Sequence, residues 1–246
     1  MVANPEKCQL ITNKSTKVSL NVGETKICSS DSVKLLGIQI DYQLSFKEHI
    51  DMICKKANNK MHALARISPF MDFNKKRTLF NAFFESQFSY CPLTWMLHTR
   101  ELNNKINRLQ EKCLRIIFND YCSSFQELLE KNKTDCIHHR NLKSLCIEIY
   151  KVKNNLSPEL FSNTFQLKEI GKYNLRNNDD FFVPKVKSVF NGTETLSFLG
   201  PKLWNSLPED IKNKDSLQSF KSAIKQWKPI CPCRICKEYV AGIGFV

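Results

Sequence analysis

Hydrophobic and polar positions change period along this chain, and the change predicts its elements. Lys7-Cys8-Gln9-Leu10-Ile11-Thr12, Val18-Ser19-Leu20 and Thr25-Lys26-Ile27-Cys28 read as short strands, the last two flanking a turn at Asn21-Val22-Gly23-Glu24. Leu35, Leu36, Ile38 and Ile40, inside VKLLGIQID (Val33 to Asp41), predict a fourth strand with Gly37 in its middle. A glycine there marks a bulge or a close approach by another backbone or a ligand.

After Asp41 the period lengthens to that of helices. Phe46, Ile50, Ile53, Ala57, Met61 and Leu64 recur at intervals of four and three, and Ser45-Phe46-Lys47-Glu48 has the form of a capping box. Lys55, Asn59, His62 and Arg66 fall opposite that stripe, with Lys56 and Lys60 on its flank, and Ser68-Pro69 ends the helix. A second helix follows Asp72 with an aromatic face of Leu79, Phe80, Phe83, Phe84 and Phe88, expected in the core, and Pro92 is expected to end or kink it. Its first turn carries Lys75, Lys76 and Arg77, where cations oppose the helix dipole. A third helix, capped by Thr99, buries Leu102, Ile106, Leu109, Cys113 and Ile116. Lys105, Arg108, Lys112 and Arg115 run beside that stripe as one basic ridge.

Further on, Ser124-Phe125-Gln126-Glu127 is a second capping box, and Thr134 caps a helix through Ile137, Leu145, Ile149 and Val152. His138 and His139 point about 100° apart on that helix and read as surface residues rather than metal ligands. Ser157-Pro158-Glu159 opens another short helix. Phe181 to Phe190 and Thr193 to Phe198 read as strands around an Asn191-Gly192 turn. A final helix presents Leu217, Phe220, Ala223, Ile224 and Trp227 on one face. The fold class expected is α+β and predominantly α-helical. A small N-terminal antiparallel β-hairpin region (1–44) precedes a helical region (45–170), and a C-terminal hairpin with helices (171–246) follows a soft boundary between 165 and 175.

Charge adds a partner to this picture. The 246 residues carry a net charge of +13, and 42% of them are hydrophobic, so a wholly disordered chain is excluded. From Phe46 to Phe118 there are 13 Lys and Arg against 6 Asp and Glu, a surplus that internal pairing cannot absorb. The ridge suits a phosphate backbone, so nucleic acid is the expected partner. The alternative is a solvated face, or pairs with acids on a neighbouring helix.

Most of the 11 cysteines sit singly within helical patterns, where a free thiol behaves as a small buried hydrophobe. Cys231, Cys233 and Cys236 have a spacing that could contribute to a zinc site, but a fourth ligand is missing, and they are expected to be dispensable for folding. No signal peptide and no membrane-spanning run is read, which places the chain inside the cell, in nucleus or cytoplasm.

KLLGIQID, the helix after it and INRLQEKCLRIIF together resemble the C-terminal part of reverse transcriptases of LINE-type (non-LTR) retrotransposons, the jockey and CR1-like groups above all. NPEKCQLI (Asn4 to Ile11) is similar to the segment just after that family's catalytic carboxylates, and KLLGIQID to its primer-grip hairpin. Phe46 to Phe118 looks like the thumb and its extension, and VPKVKSVFNGTETLSF, LWNSLP and SFKSAIKQW match the usual C-terminal region. The resemblance implies that Leu35, Leu36 and Gly37 steady the primer end, while the basic helices hold the RNA template and DNA primer by their phosphates. It implies Mg²⁺ only for the complete polymerase, whose aspartates would lie before Asn4, where Met1 to Ala3 alone stand. Asp179-Asp180 lies on the wrong side of the primer-grip segment and is a decoy. No catalytic or metal-binding residue is therefore assigned, and the chain alone is expected not to polymerise. It reads as a fragment of such a polymerase, with a host-adopted binding protein or a translated relic as the alternatives.

Overall fold

A computed structural model describes residues 4–13, 17–168, 180–186 and 195–228. Packing divides the chain into two compact units. The first holds described residues up to Tyr90 and from Glu101 to Leu128, and the second holds Cys91–Arg100 and the described residues from Leu129 on. This division by packing runs along different lines from the three-part division by composition.

The first unit begins with a 3₁₀ turn at Pro5–Lys7. The strand expected over Lys7 to Thr12 reduces to one parallel bridge, Leu10 with Ser29. Two antiparallel hairpins follow. β1 (Ser19–Val22) pairs with β2 (Thr25–Cys28) around Gly23, whose φ of 63° glycine adopts without a Cβ penalty. β3 (Ser32–Leu35) pairs with β4 (Ile38–Asp41), so the expected single strand is a hairpin and Gly37 is its turn, not a bulge. Both turn residues have positive φ, 48° at Leu36 and 88° at Gly37, the conformation whose twist matches the flanking strands.

Helix α1 (Lys47–Ile67) buries the expected stripe, Phe46 through Leu64. Its start differs from the expected capping box. Phe46 lies in the left-handed region at φ 54°, and no side chain of Ser45 or Glu48 closes the box. Asp41, the last residue of β4, holds the turn into the helix instead. Its carboxylate accepts from the backbone amides of Gln43 (3.1 Å), Ser45 (3.0 Å) and Phe46 (2.6 Å). Sequence pattern favoured serine because the serine lies at the usual spacing. The β4–α1 corner is so tight that a residue five positions upstream of Phe46 reaches its amide and that of Ser45.

Helix α2 (Phe73–Phe83) is capped by Asp72, whose side chain accepts from the Lys75 amide at 2.9 Å. Phe80, Phe84 and Phe88 are fully buried and stack along one face, while Leu79 and Phe83 are only half-buried. Pro92 neither ends nor kinks this helix, which has passed into a 3₁₀ turn (Glu85–Phe88) beforehand. Pro92 opens α3 (Pro92–Trp95), where its missing N–H is no loss. Helix α4 (Arg100–Phe118) starts directly after Thr99. Its buried face is turned from the expected one: Leu114 and Ile117 are buried where Leu109 and Ile116 are half-buried, and Asn103, Asn107 and Gln110 are buried too. At α5 (Phe125–Asn132) the capping box does close, with Ser124 N–H on Glu127 Oε2 at 2.6 Å and Glu127 N–H on Ser124 Oγ at 3.3 Å.

The second unit is built on α6 (Ile137–Lys153), α7 (Glu159–Ser162), α8 (Leu196–Asn205), α9 (Glu209–Lys212) and α10 (Leu217–Gln226). Cys136, not Thr134, stands at the α6 N-cap, and His138 is buried rather than on the surface. Leu142, Leu145 and Ile149 pack with Leu199, Leu203 and Trp204 of α8 and Phe220 and Ile224 of α10. Phe220 lies between Tyr150 (4.4 Å between centroids) and Trp204 (5.8 Å). Gly200 is required here: a Cβ on it would lie 2.5 Å from Phe165 Cε1. The last helix buries the expected face, with Phe220 and Ile224 deepest.

The expected C-terminal hairpin is corrected in part. Leu196 to Phe198 is the first turn of α8, not a strand, and the described stretch from Asp180 to Val186 makes one antiparallel bridge, Phe181 with Leu167. Residues 187–194, with the Asn191-Gly192 turn, lie outside the described residues. Asn205 takes a strand's place, its amide oxygen accepting from Phe181 N–H (2.9 Å) and its amide nitrogen donating to Phe181 C=O (3.0 Å). Eight cysteines are described, all free, but only Cys54, Cys113 and Cys146 are buried within helices, fewer than expected. No described helix is long and apolar enough to cross a membrane.

Two expected outcomes follow from these contacts. Asp41→Ala removes the acceptor for three backbone amides and should lower stability by about 1–3 kcal/mol in urea unfolding. Gly200→Ala should lower the melting temperature in a thermal scan, because a fully packed site overfilled by one methyl typically loses about 1–3 kcal/mol.

Candidate nucleic-acid interface

The first unit carries every cation singled out from the sequence. On α1 the line Lys55, Asn59, His62, Arg66 is exposed throughout, as its period predicts, with Lys56 exposed and Lys60 half-buried beside it. On α2, Lys75 pairs with Asp72 at 3.1 Å, so the acid at the N-cap offsets the helix dipole and the lysine together. The Lys75 backbone amide first, then the Lys75 side chain and the Asn74 amide, hold the Asp72 carboxyl below its usual pKa. Lys76 is half-buried and Arg77 exposed.

The α4 ridge is not uniform. Lys105 donates to Asp51 of α1 at 2.6 Å, and this hydrogen bond raises its pKa. Arg115 is mostly buried and donates to Glu111 at 2.6 Å and to the Asp120 carbonyl at 3.3 Å. The ends of the ridge are thus paired with acids, against the expectation of four cations facing out. Arg108 and Lys112, between them, are exposed and make no ion pair among the described residues.

The Lys105–Asp51 bridge brings the two helices' outer lines together. Lys55 lies one turn beyond Asp51 on α1, and Arg108 and Lys112 lie one and two turns beyond Lys105 on α4. Lys55, Arg108 and Lys112 therefore lie within two helical turns of that bridge. With the bridge about half exposed, its own contribution to stability is small, about 0–1 kcal/mol. Beneath it, burial pushes the Cys54 thiol up to about 11.

The β3–β4 hairpin belongs to the same unit. Leu35 and Leu36 are 59% and 82% exposed, so two leucines stand in solvent at its tip. Tyr90 braces the turn by donating its hydroxyl to the Leu36 carbonyl at 2.7 Å. Sequence reasoning missed Tyr90, since 54 residues separate the partners and no local pattern links them. Strand β4 rests on α1, where Gln39 N–H, one pair from the turn, reaches His49 Nδ1 at 3.4 Å.

Asp180 lies in the second unit, and Asp179 lies outside the described residues. The Asp180 carboxylate is buried against two ammonium groups, Lys168 at 2.9 Å and Lys212 at 3.3 Å, and Lys212 also donates to Glu209 at 3.1 Å. A carboxylate so occupied is a poor ligand for a divalent cation and does not fit a polymerase metal site. Cys231, Cys233 and Cys236 also lie outside the described residues. No family model, no curated protein and no solved structure matches this chain.

His49 makes the unit's stability depend on pH. Burial, and secondarily the charge of Lys56, lower its pKa from 6.5. The folded chain therefore keeps His49 neutral where the unfolded chain protonates it. Its contribution is complete above about pH 6.5 and is lost as pH falls below that value toward the folded-state pKa. Between about pH 7 and about pH 5, wild-type melting temperature should fall more steeply than that of His49→Gln, whose amide can still accept from Gln39.

Proposed function

We propose that this chain is the primer-grip, thumb and downstream part of a LINE-type reverse transcriptase, and that it holds template–primer nucleic acid through phosphates without itself polymerising. One observation carries the reading. Within a single compact unit, an exposed leucine-tipped hairpin is clamped by Asp41 to the first of two basic helices, which the Lys105–Asp51 bridge ties together.

The physical chemistry supports a sequence-independent grip. Lys55, Arg108 and Lys112 offer charges to phosphates rather than a shaped set of donors to base edges, so they position a duplex without reading it. Leu35 and Leu36 offer the turn of the hairpin as an apolar contact for the sugar or base at the primer end. The carboxylate at Asp180 has a structural part, and the proposal gives it no share in chemistry.

Anisotropy of a labelled RNA–DNA hybrid across a salt series tests the grip. Binding should weaken steeply with salt, and Lys55→Gln/Arg108→Gln/Lys112→Gln should reduce the salt slope by about 2 to 3, roughly one per lost phosphate. Its thermal melt should match wild type, since none of the three pairs with an acid. An unchanged slope in the folded variant would remove α1 and α4 from the interface.

A further inference from the structure

At the corner where α1 gives way to α2, two aromatic rings stand in solvent among cations. Along α1 the exposed line Lys55, Asn59, His62, Arg66 advances by four, three and four residues. The next step of four falls on Phe70, the last residue of the 3₁₀ turn Ser68–Phe70. Phe70 is 89% exposed, more than any other large hydrophobic residue described. Phe73 then opens α2 and is 42% exposed.

The corner that carries these rings is fixed at both ends. Ser68 is buried and donates its hydroxyl to the Ala65 carbonyl at 3.0 Å, and Pro69 locks its own φ. Met71 N–H donates to the Ser68 carbonyl at 3.2 Å, and Asp72 caps α2 directly afterwards. The Phe73 ring leans on Phe118 of α4, with 5.2 Å between centroids and 38° between planes. Phe70 gains almost none of the stabilisation that burial would give it. It is a large π face held outward on a rigid mount.

Charge around the rings decides which partner they fit. Between His62 and Arg77 four Lys and Arg stand against Asp72 alone, and Asp72 pairs with Lys75 at 3.1 Å. Arg66, one turn before Phe70, is exposed, and Lys76, one turn after Phe73, is half-buried. Neither makes an ion pair among the described residues. An apolar protein surface laid over the rings would strip water from both charges and leave them unanswered, which is unfavourable. A single strand of nucleic acid answers both features, its phosphates meeting the cations and its unstacked bases the π faces. We infer that Phe70 and Phe73 form a stacking site for an unpaired nucleic-acid strand, with Arg66 and Lys76 on its phosphates. Neither ring nor cation reads the sugar, so DNA and RNA strands are held alike. The site goes beyond the grip on a duplex and rests on no role given to Lys55, Arg108 or Lys112.

The test uses the full chain with short labelled oligo(dT) and oligo(U), followed by anisotropy across a salt series. Phe70→Ala should weaken binding of both strands about tenfold, the loss of one stacked base, and leave the salt slope unchanged. Its affinity for the RNA–DNA hybrid and its thermal melt should match wild type, because the ring lies almost wholly in solvent. Phe70→Tyr keeps the π face and should bind as wild type does. Phe70→Leu keeps only apolar bulk and should weaken as Phe70→Ala does, a contrast that holds even if one variant melts early. Arg66→Gln/Lys76→Gln should lower the single-strand salt slope by about 1.4, roughly 0.7 for each lost phosphate. No binding of either strand by wild type, or full affinity in Phe70→Ala and Phe70→Leu, would overturn the site. A wild-type dimer in sedimentation that Phe70→Ala dissociates would overturn it too, by giving the ring to a second copy. Phe70-dependent strand binding beside a hybrid indifferent to Lys55, Arg108 and Lys112 keeps the stacking site and removes the grip; the reverse removes the stacking site alone.

Discussion

The carboxylate of Asp41 holds the first unit's architecture at its narrowest point. It ends β4 and accepts the amides of Gln43, Ser45 and Phe46, the last of them left-handed. Left-handed backbone at a bulky residue is unfavourable and persists only when its surroundings over-determine it. Here the determinants are the carboxylate on one side and burial of the Phe46 ring on the other. The hairpin consequently leaves α1 at a fixed corner, and Tyr90 braces its turn from a distant part of the chain. The exposed leucines at the tip are presented by a rigid mount rather than by a loop.

The second unit is fixed by polar groups set into an aromatic core. Lys212 is almost fully buried and is tolerated because Asp180, Glu209 and the Asn205 carbonyl surround its ammonium. Breaking one side of such a cluster strands the other charge, a loss far larger than the cluster's net contribution. The Asn205 side chain meanwhile closes both hydrogen bonds of Phe181, which lets an irregular segment lie edge-on to Trp204 without orphaned backbone. The only described residue of the Asp-Asp pair is thus explained by packing.

The candidate interface follows one electrostatic rule. Acids at Asp51 and Glu111 neutralise Lys105 and Arg115 and pin them, and Arg108 and Lys112 between them are left to face solvent. A uniformly basic helix face would repel itself. Interleaved pairs allow closely spaced positive lines to fold at modest expense, and the residual charge is what an anionic partner meets.

Local period and composition determined the predominantly helical class, the buried stripe of α1, the aromatic face of α2, the capping box at Ser124 and the last helix, because each depends on neighbours within a turn or two. The same information located the cations, since spacing alone sets which side of a helix they occupy. Tertiary structure decided which of them are spent. Asp51 and Lys105 are 54 residues apart, and no pattern in either helix announces their contact. It also decided that Gly37 turns a hairpin, that α4 rolls to bury Leu114 and Ile117, and that Leu196 to Phe198 joins a helix. In each case the local signal was compatible with more than one state; at Gly37 strand pairing and the Tyr90 hydrogen bond set the turn, and in α4 and α8 burial against distant residues decided. For α8 the distant residues are Phe165 and Ile149, pressed so closely on Gly200 that only a glycine admits them.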